Sequence, residues 1–133
     1  MEEKTNVEEI QEEKKSEKVE KKEPTNIINF KDFGKVEMVV ALILEAEKVE
    51  NADRLLKLEV DTGEDKRTLV AGVADYYSTE DLIGRKIIIV KNLKPAKIRG
   101  VHSRGMILAA SGPDGRPYIP IIPEETPIGA KLK

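Results

Sequence analysis

A cluster of basic residues in the second half of the chain is the feature best suited to chemistry with a ligand. Between Asp81 and Asp114 the sequence has no acidic residue and seven basic ones. They are Arg85, Lys86, Lys91, Lys94, Lys97, Arg99 and Arg104. Lysine and arginine neutralise phosphates and release their counterions, so this cluster suits the backbone of RNA or DNA. A solvated basic loop without a ligand is the alternative.

Uncharged residues within the same stretch could add hydrogen bonds. Asn92 and Ser103 can bond to sugar or base edges. Met106 could stack weakly on a base, but a core position suits it better. Aromatic residues are absent between Tyr77 and Tyr118, so the stretch gives little support for stacking of single-stranded bases. Backbone and shape recognition of a folded RNA fits it better.

Two further positions could contribute to this surface. His102 is the single histidine of the chain, and it could contact phosphate or lie on the surface without a ligand. Arg54 could extend the basic surface, while Asp53 beside it would brace a turn. We therefore predict a nucleic-acid site that consists of Lys91, Asn92, Lys94, Lys97, Arg99, Ser103, Arg104, Met106 and Arg54.

No pattern typical of catalysis or metal binding accompanies the cluster. The sequence has no cysteine, which excludes disulfides and thiolate metal sites. Its carboxylates lack a spacing that favours paired acid–base work, and it has no glycine-rich phosphate loop or nucleophile elbow. We predict a protein that is not an enzyme, with no catalytic residues, no cofactor and no metal.

Length and charge distribution predict one domain with a tail. Residues 1–25 hold nine Glu and six Lys with few aliphatic side chains, which indicates a disordered tail or a linker to a larger protein. Residues 26–133 hold 17 basic and 16 acidic residues, so polyanion binding must come from clustering and not from net charge. Without a membrane span or an apolar signal core, we expect a soluble, cytoplasmic protein.

Hydrophobic periodicity predicts five strands and one short helix. Residues 36–48 are apolar on both alternating faces, so this strand either packs on two sides or bends; its β-branched content disfavours a helix. Ser78 is a suitable N-cap for a short helix that ends at Gly84. The other predicted strands are residues 56–60, 68–71, 87–93 and 106–111, followed by a turn at residues 112–115.

The order β-β-β-α-β-β predicts an all-β fold, namely the five-stranded Greek-key barrel called the OB-fold, with one short helix. An open sandwich is the competing architecture, but it usually needs about seven strands. An OB-fold would place the loop between strands 1 and 2 (residues 49–54) and the loop between strands 4 and 5 (residues 94–104) beside the binding face. The charge distribution and the predicted topology therefore both place the binding site at the basic loop.

Four segments resemble the tRNA-binding domain found at the C-terminus of many bacterial methionyl-tRNA synthetases and in stand-alone structure-specific tRNA-binding proteins. They are FKDFGKVEM (residues 30–38), NADRLLKL (51–58), NLKPAKIRGV (92–101) and SRGMILAA (103–110). The third and fourth are specific in combination, and the matching region spans residues 27–133. Two positions depart from the family pattern: Val49-Glu50 stands where His-Pro is usual, and Arg104 where Glu or Gln is common.

This resemblance implies an OB-fold with a C-terminal extension, here about residues 112–133, that forms a homodimer supported by the clip Phe30–Phe33. It implies binding of tRNA as a shaped body, in the service of a methionyl-tRNA synthetase catalytic region in cis or in trans. A related dimeric chaperone of bacterial protein export shares the Asn-Leu-Lys-Pro and Ser-x-Gly-Met segments. A dimeric peptide-binding chaperone is therefore the alternative function, although that relative lacks the long extension.

Overall fold

The computed structural model describes residues 26–133, and the predicted tail of residues 1–25 lies outside the described residues. The chain divides after Phe30 into two units. The fold below is that of the second unit, Lys31–Lys133.

One long strand, β1 (Met38–Val49), organises the sheet. Its first half pairs with β4 (Lys86–Val90) on one side and with β10 (Lys131–Leu132) on the other. Its second half pairs with β2 (Ala52–Asp61), across a register shift between Ile43 and Glu45. Such an irregularity bends a strand and lets it turn different faces to different partners. This explains why both faces of β1 are apolar in the sequence.

The remaining strands complete an antiparallel sheet with the order β3-β2-β1-β4-β7. Here β3 is Lys66–Ala71 and β7 is Met106–Ile107, and β10 pairs with β1 off this path. Two small hairpins stand outside the sheet: β5 (Ala96–Ile98) with β6 (Val101–Ser103), and β8 (Ala110–Ser111) with β9 (Pro117–Tyr118).

The core lies inside this curved sheet and is almost entirely aliphatic. Its largest fully buried side chains are Ile43, Leu56, Leu58, Leu69, Leu82, Ile87 and Ile89. Residues 56, 58 and 60 are buried along β2 while their neighbours stay partly exposed, as the alternating pattern predicts. The hydrophobic effect on these side chains supplies most of the driving force for folding.

Residues 26–133 contain two helices of four residues each. The predicted one is α2 (Thr79–Leu82), whose N-cap Ser78 accepts a hydrogen bond from the backbone N–H of Asp81 at 3.0 Å. Sequence analysis did not predict α1 (Phe30–Phe33) as a helix, and it contains no buried residue. The predicted clip at residues 30–33 therefore buries no phenylalanine, and its contact with a partner stays a prediction.

The predicted mostly-β antiparallel fold is confirmed, with corrections to its loops. The loop between β1 and β2 shrinks from the predicted six residues to residues 50–51, with Asn51 at φ 64°. The predicted fifth strand splits into β7 and β8, which join different sheets. Closure into an OB barrel stays a prediction. It is supported by a hydrogen bond from the backbone N–H of Arg104 to the carbonyl of Thr68 in β3 at 2.9 Å.

The C-terminal extension is tied back to β1. Besides the β10 pairing, the N–H of Val40 donates to the carbonyl of Ala130 at 2.9 Å, and the N–H of Gly129 donates to the carbonyl of Val40 at 2.7 Å. Residues 129–132 therefore cover an edge of β1 that would otherwise expose unpaired backbone groups. Among the described residues, no helix has the length and apolar character needed to cross a membrane.

Two glycines at the base and the tip of the β5–β6 hairpin provide a test of this fold. A Cβ on Gly105 (φ 138°) would lie 3.0 Å from both the Val90 oxygen and Leu69 Cδ2, whereas Gly100 (φ 83°) has open space around it. We expect Gly100→Ala to lower the free energy of unfolding by about 1 kcal/mol and Gly105→Ala by about 3 kcal/mol. Urea unfolding measures both, and equal losses would contradict the close approach of β4 to Gly105.

Candidate nucleic-acid interface

The predicted basic loop folds as a two-stranded hairpin. In the basic hairpin, as we call residues 91–105, Ala96 pairs with Ser103, Lys97 with His102 and Ile98 with Val101. Arg99 and Gly100 form the tip, with φ values of 51° and 83°. A two-residue hairpin turn with both φ values positive matches the right-handed twist of its strands. The loop is therefore a projecting ribbon with a defined register.

The two faces of this ribbon differ in polarity. Lys97 and His102 are cross-strand partners, so their side chains share one face, and both are exposed. Ile98 and Val101 are partly buried on the opposite face, and Ser103 is buried. This alternation turns the apolar face toward the sheet and leaves the cationic face to solvent.

Arg99 occupies a backbone conformation that non-glycine residues rarely adopt. The left-handed region costs an L-residue about 1–2 kcal/mol, and asparagine or glycine usually takes that position in such turns. Arg99 is exposed and has no hydrogen-bond or ion-pair partner in the described part of the chain. Backbone strain of this kind concentrates at functional sites. The observation favours a role for the Arg99 guanidinium in contact with a ligand and not in stabilising the fold.

The base of the hairpin is held by Arg67 of β3. Its Nη1 donates to the carbonyl of Lys91 at 2.8 Å and to that of Arg104 at 3.3 Å, so one guanidinium bridges the two ends of the basic hairpin. Its Nε donates to the Asp65 carboxylate at 3.1 Å. The Arg67 side chain is only 13% exposed. The planar fork of arginine suits this convergence because its donors point in fixed directions.

Asp65 completes the clamp from the β2–β3 turn. The Thr62 hydroxyl donates to Asp65 Oδ1 at 2.7 Å, and Arg104 Nη2 lies 3.9 Å from Oδ2. The hydrogen bonds from Thr62 and then Arg67, together with the nearby arginine charges, lower the pKa of Asp65 below its ordinary value. Asp65 therefore stays ionised and offsets part of the Arg104 charge.

Three of the predicted site residues take structural roles. The Lys91 side chain is only 12% exposed and forms an ion pair with Glu64, whose pKa is lowered by that hydrogen bond and charge. Asn92 accepts a hydrogen bond from the N–H of Glu37 at 2.9 Å and donates to the carbonyl of Lys35 at 2.6 Å. Ser103 accepts from the N–H of Val70 at 3.1 Å.

The other six predicted residues remain accessible. Lys94, Lys97 and Arg99 are exposed, and none of them forms an ion pair within residues 26–133. Arg104 is exposed but faces Asp65. Met106 is also exposed, so the core position that the sequence favoured for it is wrong.

Arg54 meets the basic hairpin across an open cleft. Asn51 of the β1–β2 connection and Asp53, Arg54 and Leu55 at the start of β2 line this cleft of about 420 Å³ together with Arg99. Arg54 Nε also lies 3.4 Å from the Asp75 carboxylate. The expected proximity of the two loops is thus present, with two arginines at its rim. No group of three potential metal ligands occurs among residues 26–133.

Sequence reasoning missed the clamp because Arg67 bonds carbonyls that are distant along the chain and Asp65 meets Arg104 only in the folded structure. Arg67 bonds residues 24 and 37 positions away. Arg67 lies in β3, and the alternation of apolar and polar residues along β3 does not indicate that a polar side chain at the end of this strand makes a contact. The only local signal is the Thr62-Gly63 turn, which predicts a hairpin but not the clamp that this hairpin builds.

The chain matches the model of the family described as "Putative tRNA binding domain" over residues 38–131. A methionine–tRNA ligase of Thermotoga maritima is 48% identical over 80% of the chain, and one of Caldanaerobacter subterraneus is 46% identical over 90%. The chain spans 17% and 19% of these two proteins, which is less than a fifth of their length.

Two solved structures share the fold along most of its length. A protein from Pyrococcus horikoshii described as MetRS related has a TM-score of 0.78 and 42% identity, covering 82% of this chain and all of that one. The chaperone CsaA of Bacillus anthracis has a TM-score of 0.74 and 28% identity, covering 80% of this chain and 99% of that one. The chain belongs to the tRNA-binding domain family, as its sequence motifs predict.

We expect Arg67→Ala to loosen the basic hairpin. The change leaves two carbonyls without their side-chain donor and removes one of the donors to Asp65, which should lower the free energy of unfolding by about 2–3 kcal/mol. Amide hydrogen exchange in residues 94–104 should accelerate more than exchange in β2. Arg67→Lys should restore only part of the protection, because an ammonium group lacks the arginine fork.

Lys66→Ala is the matched control, since Lys66 is an exposed neighbour on the same strand. It should leave both stability and hairpin exchange unchanged. If Arg67→Ala left exchange in residues 94–104 at the wild-type rate, the hairpin would be held by other contacts.

Proposed function

We propose that this chain binds tRNA through the cationic face of its basic hairpin and recognises the RNA by its backbone and shape. The observation that carries the proposal is the set Lys94, Lys97 and Arg99: three exposed cations without an ion pair in the described residues, on a hairpin clamped at its base. Cations that no acid neutralises can release counterions from a phosphate backbone. Family membership supports tRNA as the nucleic acid.

The predicted site residues divide into contacts and supports in this proposal. Contacts to RNA come from Lys94, Lys97, Arg99, Arg104 and Arg54, with Met106 beside them. The supports are Lys91, Asn92 and Ser103, whose polar groups already bond to the chain. His102 shares the face of Lys97 and lies within reach of the same phosphates. Because the backbone of the hairpin is held at its base, binding costs little backbone entropy there, which favours a ligand of fixed shape.

The domain serves a methionyl-tRNA synthetase in this proposal, without chemistry of its own. Methionine–tRNA ligases, of which the matched region is less than a fifth, contain a region 46–48% identical to it. A tethered or associated RNA-binding module raises the effective concentration of tRNA at a catalytic region. The same contribution is available in cis, when the module is part of the synthetase chain, and in trans, when it binds the enzyme as a partner.

A peptide-binding chaperone is the second candidate, because the CsaA chaperone shares the fold at a TM-score of 0.74. The identity of 28% to that protein is lower than the 46–48% to the ligases. The unneutralised cations of the basic hairpin also suit a polyanion better than an apolar peptide. The tRNA-binding function therefore has the stronger support.

A homodimer through the C-terminal extension is part of the proposal. Ile121 is 88% exposed within a segment whose ends are fixed by Ile119 in the core and by β10 on β1. A large aliphatic side chain held out to solvent on a fixed backbone is typical of an interface residue. The extension thus offers a partner a preformed apolar contact.

We expect single alanine substitutions in the basic hairpin to weaken tRNA binding in a salt-dependent way. For Lys94→Ala, Lys97→Ala or Arg99→Ala, the slope of log K against log salt concentration should flatten by about one unit at most. Filter binding with bulk tRNA over a salt series measures this slope. The control is Lys57→Ala, because Lys57 lies 3.4 Å from Glu47 in a cleft also lined by Glu45 and Glu59, where phosphates are repelled.

Two results would contradict this prediction. If the folded wild-type chain bound tRNA without any salt dependence, the proposed phosphate contacts would be ruled out. A chain that binds an unfolded polypeptide and no tRNA would favour the chaperone function instead.

We expect Ile121→Glu to convert the homodimer to a monomer without unfolding the chain. Ile121 makes no core contact, so a charge there affects only a surface that another copy buries. Sedimentation velocity at several concentrations measures the association, and circular dichroism checks the fold. Ile83→Glu, at an exposed apolar residue beside α2, is the control that should remain dimeric. A dimer of unchanged affinity in Ile121→Glu would place the interface elsewhere.

A further inference from the structure

The fold gathers tyrosines that the sequence separates. Tyr76 and Tyr118 both contact Arg116, whose guanidinium carbon is 5.4 Å from the centroid of each ring. Such distances are typical of cation–π contact. We call these three residues the tyrosine platform. Sequence analysis gave base stacking little support because the basic loop has no aromatic residue, yet the structure brings two half-exposed rings to one surface.

Local hydrogen bonds fix the half of the platform that the β8–β9 hairpin carries. The N–H of Gly112 donates to the carbonyl of Arg116 at 2.9 Å, and the N–H of Arg116 donates to Asp114 Oδ1 at 3.1 Å. A Cβ on Gly112 would lie 2.9 Å from Tyr118 Cε2, so the ring packs directly over the glycine backbone. The ring and the guanidinium are therefore preorganised before any ligand arrives.

Tyr77 anchors this hairpin to the rest of the fold and differs from the platform tyrosines. Its hydroxyl donates to the carbonyl of Pro117 at 3.2 Å and accepts from the N–H of Ile119 at 3.1 Å. Tyr77 is partly buried against the core, which gives it a structural role. Tyr76 and Tyr118 are 42% and 51% exposed, and neither hydroxyl has a hydrogen-bond partner in the described residues. Both rings are therefore covered in part by Arg116 and remain accessible over the rest of their surface.

A continuous surface connects the platform to the basic hairpin. Arg99 and Arg54 line one cleft, and Arg54 is paired with Asp75. Asp75 and Tyr76 line the next cavity, of about 440 Å³, together with Lys48 and Thr79. An RNA held at the hairpin tip would meet Arg54 and then Tyr76 along a surface on which the acids Asp53, Asp75 and Glu80 alternate with Arg54 and Lys48.

We propose that the tyrosine platform stacks an unpaired base of the RNA that the basic hairpin binds. The inference rests on the proposed function and adds a second kind of contact to it. Aromatic rings and arginine planes accept any base by its π-face, so the contact selects for an unpaired nucleotide and not for a sequence. RNA is favoured over a protein occupant because two adjoining clefts lead from Arg99, one of the unneutralised cations, past Arg54 to Tyr76.

A pair of RNA duplexes tests the platform. One is blunt, and the other has the same duplex with a single-stranded 3′ extension that contains 2-aminopurine. The wild-type chain should bind the extended duplex more tightly and change the 2-aminopurine fluorescence. Tyr118→Ala and Tyr76→Ala should each weaken binding of the extended duplex by about 5- to 100-fold and leave the blunt duplex unaffected. Tyr118→Phe should bind as the wild type does, since it keeps the ring.

Salt dependence separates stacking from phosphate contact. The tyrosine variants remove no charge, so they should keep the wild-type salt slope, whereas Lys97→Ala should flatten the slope for both duplexes. Arg116→Lys keeps the charge and loses the plane, so it should behave like the alanine variants. Thermal unfolding checks each variant, and Tyr76→Ala tests the platform without touching the β8–β9 hairpin.

The outcomes separate this inference from the proposed function. If the wild type binds neither duplex nor tRNA, the proposed function fails and the inference fails with it. Suppose that Lys97→Ala weakens binding while folded Tyr76→Ala and Tyr118→Ala bind the extended duplex as the wild type does. The stacking inference is then wrong, and the proposed tRNA binding by the basic hairpin stands. If Tyr118→Ala instead dissociates the homodimer in sedimentation at unchanged RNA affinity, the platform is a subunit contact and the inference is overturned.

Discussion

The bridge from Arg67 to the two ends of the basic hairpin is the contact on which the candidate interface depends. A hairpin of two three-residue strands is marginal alone, because so short a ladder does not offset the entropy of ordering it. Here the guanidinium bonds the carbonyls of Lys91 and Arg104, so the segment enters and leaves the sheet at a fixed separation. Burial of the Arg67 side chain protects these bonds from competition by water.

The same clamp also determines which charges of the basic hairpin are neutralised. Glu64 and Asp65 follow one another in the β2–β3 turn, and they neutralise Lys91 and part of Arg104 at the base of the hairpin. Their lowered pKa values mean that both acids keep their charge to a lower pH than ordinary carboxyl groups do. The cations farther along the hairpin have no such partners in the described residues. The segment looks uniformly basic in the sequence. In the structure its positive charge is neutralised where the hairpin joins the sheet and remains toward the tip of the hairpin.

Those parts of the structure that depend on local pattern were predictable from the sequence. Alternation in β2, the Ser78 cap and the turn at residues 112–115 all have the expected form. The hairpin at Arg99-Gly100 was missed because its turn has arginine where asparagine is the usual signal. The platform was missed because Tyr76 and Tyr118 are far apart in sequence, and nothing local indicates that Arg116 brings them together.

Each feature that could meet a ligand is fixed to the sheet at its ends. Arg67 and Asn92 hold the basic hairpin, Tyr77 and Arg85 hold the chain after β9, and β10 holds the extension. Side chains between these anchor points can vary without disturbing the core. Their relative positions, however, are set by the sheet and cannot adapt freely to a flexible strand. Fixed cations and fixed rings favour a ligand whose phosphates and unpaired bases already stand at matching distances, and a folded RNA has this property whereas a disordered one does not.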